Sequence, residues 1–188
     1  MPGWPHYHAG VLAERCDELV RAAETADAVA FQTGIGKVWE AASGAGPDEL
    51  NAALERICEL FEMLPLGIAG RLAVLAGAMV EDGADPAPLV GYVVTGTGVA
   101  AETAAEFVTA WRNVVGEQAA LPEPVEQQAA LDAAMAALVR RHGWSRLRRG
   151  SKGVSEKEAY LLAEGWFSLT AWALPFTTLL QLKEVRGL

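Results

Sequence analysis

The sequence is poor in the residues that most often carry chemistry. It holds three histidines and two cysteines in 188 residues. His6 and His8 flank Tyr7 and would face one side of an extended chain, as a zinc ion needs. A third and fourth ligand at a recognisable spacing are missing, because His142 is the only other histidine. The same scarcity weakens Ser-His-Asp and Cys-His schemes, and neither G-x-S-x-G nor H-E-x-x-H occurs. No glutamate is followed by histidine at the Glu-x-x-His spacing of di-iron bundles. No cofactor and no metal is expected.

Two phosphate-binding patterns are also incomplete. In QTGIGKVWE, Phe31 stands where a P-loop has its first glycine, and Val38 where Ser or Thr would hold magnesium. VTGTGVAAE lacks the third glycine of a dinucleotide fingerprint and the βαβ unit around it. The first reads as a helix break; the second could still turn backbone N–H groups at a helix N-terminus toward an anion. Cys16 and Cys58 fall on apolar helix faces, where a free cysteine acts as a small hydrophobe, although a disulfide between them stays open. The start MPGWPHYHAG has neither a basic opening nor a continuous apolar run, so a secretory signal is not expected and the cytoplasm is.

Aromatics make up only 7% of the chain and strand formers are scarce outside Leu89–Val99. What is abundant is small and apolar: 52% of residues are hydrophobic, many of them alanine, and 21% are charged. The fold class expected is all-α, with six to eight helices in an irregular bundle or a short stack of helical hairpins. Proline-marked helix starts at 47, 86 and 124 lie 39 and 38 positions apart, close to the roughly 40-residue period of HEAT or armadillo arrays. A single domain, residues 1–188, is expected, with residues 1–8 a tether and 143–154 a basic loop.

Its centre is expected at Leu64–Trp111, where two nearly uncharged runs flank the acidic turn Asp82–Pro86. Leu64–Val80 and Gly165–Leu182 both invite a membrane reading. The first carries Arg71 in its middle, and the second carries Pro175, Gln181 and several hydroxyls, so helices buried in protein are expected instead.

Local signals place the elements. A first helix near His8 runs through Leu12, Cys16, Leu19 and Phe31 until Gly34 and Gly36 interrupt it. Pro47-Asp48-Glu49 opens the next, with proline at the first position and carboxylates at the positive end of the dipole. A third continues through Leu72 and Met79 to Gly83. Leu89–Val94 reads as a short helix or a strand, and a helix follows over about Val99–Gln118. Another begins at Pro124. Ser155 and Glu158 form a capping box for the last helix, which Pro175 should kink or divide.

Charge is unevenly spread. Residues 1–138 hold 6 Lys/Arg against 20 Asp/Glu, whereas 139–188 hold 9 against 4. The acidic part argues against general nucleic-acid binding. Arg140, Arg141, Arg146, Arg148, Arg149 and Lys152 cluster around Trp144, a composition that suits an acidic protein partner and, less directly, phosphate contact. Arg71, among apolar neighbours, must pair, reach the surface or line a cavity. Tyr92 and Trp111 would complete such a pocket for an anionic ligand.

The leading functional expectation is a non-catalytic helical protein-interaction or scaffold protein. A small-molecule binder or enzyme with a pocket near Arg71 stands second, and a nucleic-acid-associated regulator using the basic loop third. Another protein is the expected partner, no membrane span is expected, and a homo-oligomer stays open.

Overall fold

A computed structural model describes residues 9–124, 128–139 and 153–182. Among them the structure is all-helical: seven helices and no strand. They are α1 (Ala9–Glu24), α2 (Ala28–Ala42), α3 (Pro47–Cys58), α4 (Leu66–Glu81), α5 (Ala87–Val114), α6 (Gln128–Val139) and α7 (Glu156–Gln181). No described helix is long and apolar enough to cross a membrane. The described residues form two compact units, one from Met1–Thr95 and Ala171–Leu188, the other from Gly96–Thr170. The boundary therefore falls inside α5 and inside α7.

The first unit is assembled around α4. Nine of its sixteen residues are buried, including Leu72, Leu75 and Met79. A helix apolar on nearly all sides belongs inside, as expected for this stretch. α2 and α3 pack against it and α1 packs against those two: α1 buries Leu12, Cys16 and Leu19 at helical spacing, α2 buries Phe31 and Val38, and α3 buries Leu50, Leu54 and Ile57. The start of α3 follows its proline signal, and the Glu49 carboxylate accepts from the Gly46 N–H at 3.3 Å.

Where α4 meets the end of α7, small residues meet large ones. A Cβ on Gly70 would lie 3.1 Å from Trp172 Nε1, and one on Gly77 would lie 3.1 Å from Pro175 Cβ. The Trp172 indole N–H donates to the Leu66 carbonyl at 3.0 Å, and its ring sits 6.0 Å from that of Phe61.

Four expectations about element limits are corrected. The first helix does not run on to Gly34; it ends at Glu24. Ala26 turns the chain at φ 53, and Asp27 caps α2 by accepting from the Ala30 N–H at 2.9 Å. Gly34 and Gly36 lie inside α2, and Gly34 is where Leu19 of α1 crosses, its Cδ1 2.9 Å from a hypothetical Cβ. Leu89–Val94 and the helix after it are one element, α5. Leu89, Val93 and Ala100 are fully buried, and that packing outweighs the weak helix propensity of valine and glycine. Pro124 is not helical, and α6 is described from Gln128. Pro175 does not divide α7, which continues to Gln181.

The second unit is knitted by aromatic rings. Phe107 of α5 stacks on Trp111 at 5.6 Å and on Trp166 of α7 at 5.3 Å, and meets Phe167 edge-on at 6.5 Å. Leu138 of α6 joins this cluster. The segment after α5 is held by two indoles: Trp111 Nε1 donates to the Ala120 carbonyl at 3.1 Å, and Trp166 Nε1 to the Pro122 carbonyl at 3.0 Å. The last helix opens as its capping signal indicates, with the Glu158 N–H donating to Ser155 Oγ at 3.2 Å. Gly165 permits the approach of Thr103, whose Cβ would be 2.5 Å from an added methyl group.

Candidate functional site

Between α1 and α3 the first unit is open. Leu12, Ala13 and Cys16 of one helix and Ala52 and Ala53 of the other line a groove of about 400 Å³. Leu12, Cys16 and Ala53 are buried in its floor, whereas Ala13 and Ala52 are exposed. A methyl group at those two positions is too short to close the space that a longer side chain would cover. Asp17, Asp48, Glu49 and Arg56 complete the lining.

The charged residues are partly organised. Arg56 of α3 reaches across to Asp17 of α1, Nη2 to Oδ1 at 3.1 Å, and its other terminal nitrogen lies 3.4 Å from Glu59. These pairs are solvent-exposed and hold geometry more than they add stability. Elsewhere on α1, Glu18 bonds Arg15 at 2.6 Å and Lys37 of α2 at 3.1 Å. The Lys37 bond first, then that of Arg15, lowers the Glu18 pKa from its usual 4.5.

The cysteines are free and buried. Burial, followed by the Asp17 charge, pushes the Cys16 thiol up to about 11, against a small opposing effect of Arg56. Burial and then the Glu55 charge do the same to Cys58, also to about 11. Both are thiols rather than thiolates at neutral pH, which leaves the groove floor apolar instead of nucleophilic. Among the described residues, no group of three or more His, Cys, Asp or Glu side chains is placed to hold a metal ion.

The residues singled out from the sequence fall elsewhere. Arg71 reaches the surface, where Nη1 donates to Gln32 Oε1 of α2 at 3.0 Å. Tyr92 is half-buried with its ring stacked on Phe61 at 5.2 Å, also in the first unit. Trp111 belongs to the second unit and is 9% exposed. Arg140, Arg141, Trp144, Arg146, Arg148, Arg149 and Lys152 lie outside the described residues, as do His6, His8 and His142.

Sequence reasoning missed Ala13 and Ala52. The available signal was an alanine on the polar face of each of two acidic helices, which reads as nothing more than a good helix former. It also missed the outer face of α2, where Val29 is 79% and Trp39 50% exposed. Comparison of the chain with protein-family models, with curated proteins and with solved structures gave no match.

Proposed function

We propose that this protein is a non-catalytic helical interaction module whose partner docks in the α1–α3 groove. The observation that carries this reading is the groove itself, an apolar floor left open between two helices by Ala13 and Ala52. Recognition by laying an apolar face into such a groove needs no reacting group, only shape and a dry floor. The thiol state of Cys16 agrees with that role. The anionic-ligand expectation at Arg71 has less support, because its guanidinium is exposed and already donates to Gln32.

A photoreactive phenylalanine analogue placed at Asp48, an exposed residue of the groove lining that leaves the floor clear, tests the reading. Irradiation in cells should yield a covalent adduct with another protein from position 48, and none from the same analogue at the exposed Thr33 of α2. Equal labelling from both positions, or none from position 48, overturns the reading.

A further inference from the structure

We infer that the groove takes a basic amphipathic helix of a partner protein. This rests on reading the groove as a docking site, and it adds the chemistry of the occupant. The lining contains three carboxylates, Asp17, Asp48 and Glu49, and one guanidinium, Arg56, a balance of −2. The guanidinium is already held by Asp17 and Glu59. The two helices that form the walls carry seven Asp/Glu against three Arg, 3 − 7 = −4. A partner bearing carboxylates would meet repulsion along both walls, while lysine or arginine beside an apolar stripe would meet attraction and cover the floor.

The partner's backbone is constrained as well. Both walls are α-helix, whose interior peptide groups bond within their own helix, so an extended strand entering here finds no edge to pair with. A helix arrives with its hydrogen bonds already made. The methyl side chains of Ala13 and Ala52 let it approach closely.

The test is an NMR titration of the whole isotope-labelled protein. Two synthetic helical peptides of about 18 residues share one leucine/alanine face, and their polar faces carry lysine in one and glutamate in the other. Hexylammonium serves as a small amphiphilic cation. The lysine peptide should shift the amide signals of Ala13, Cys16, Ala52 and Ala53, bind about tenfold or more tighter than the glutamate peptide at low salt, and weaken as salt is raised. Ala52→Trp, which fills the groove from an exposed position, should cut that affinity about tenfold or more while its melting temperature stays unchanged.

Equal binding of both peptides at these residues overturns the basic partner and leaves the groove as a docking site. Shifts from hexylammonium as large as those from the lysine peptide make the occupant a small cation and overturn the helix. Shifts of the same residues on concentrating the protein alone make it a second copy. Binding away from the groove, binding indifferent to Ala52→Trp, or no binding of either peptide overturns both readings.

Discussion

The contact between α4 and α7 and the groove between α1 and α3 use small side chains to opposite ends. On α4, Gly70 and Gly77 are each met by a large group, Trp172 and Pro175, at the limit of close packing. On α1 and α3, Ala13 and Ala52 line the groove and remain exposed. The first arrangement makes a dry centre with a defined register. The second leaves apolar floor within reach of a partner. A small residue in a helix thus marks a close approach, and only the residue opposite decides whether that approach is already taken.

Trp172→Ala empties the α4–α7 contact and removes the bond to Leu66. It should lower unfolding stability by about 3–5 kcal/mol in a denaturant titration. A smaller loss would mean that α4 is held mainly by other helices. Gly77→Val overfills the same contact and should cost about 1–3 kcal/mol, because Pro175 has no rotatable side chain to withdraw. Gly36→Ala is the converse case: an exposed position inside α2 with nothing within 4 Å of an added Cβ should gain about 0.5–1 kcal/mol from helix propensity alone. Ala52→Trp should sit within about 0.5 kcal/mol of the parent, as a surface change that displaces nothing.

Titration of the thiols sharpens the picture of the floor. The folded pKa of Cys16 and Cys58 is about 11, above the usual 9.0, so the folded state holds these protons after the unfolded chain has released them. Their contribution to stability is complete below 9.0 and declines as pH rises toward about 11. Denaturation midpoints measured across that window should fall. At pH 8 a thiol reagent should label neither cysteine until the chain opens, and fast labelling of Cys16 would show that the groove reaches deeper than Ala13 and Ala52.

Much of the fold was legible where local chemistry decides it. Pro47-Asp48-Glu49 and Ser155-x-x-Glu158 begin α3 and α7, and the nearly uncharged run through Leu72 and Met79 becomes the buried α4. Legibility failed where tertiary packing overrules local preference. Gly34 is present for Leu19, fifteen positions away, not to stop a helix, and the valines of α5 stay helical because Leu89 and Val93 are buried. Arg71 was legible only as a choice among pairing, surface and cavity, and Gln32 could not be identified as its acceptor from spacing. The groove was not legible at all. It is a space between α1 and α3, and no pattern along one helix shows what is missing on the other.

The hydrogen bond from Trp172 to Leu66 joins residues 106 apart in the chain. During synthesis the face of α4 that carries Gly70 and Gly77 therefore waits for its cover while α5, α6 and most of α7 are made. At ordinary elongation rates that interval lasts about 5–20 s. For that time an apolar helix surface is complete but unfilled, which makes α4 the segment on which a nascent-chain chaperone has most to gain by binding.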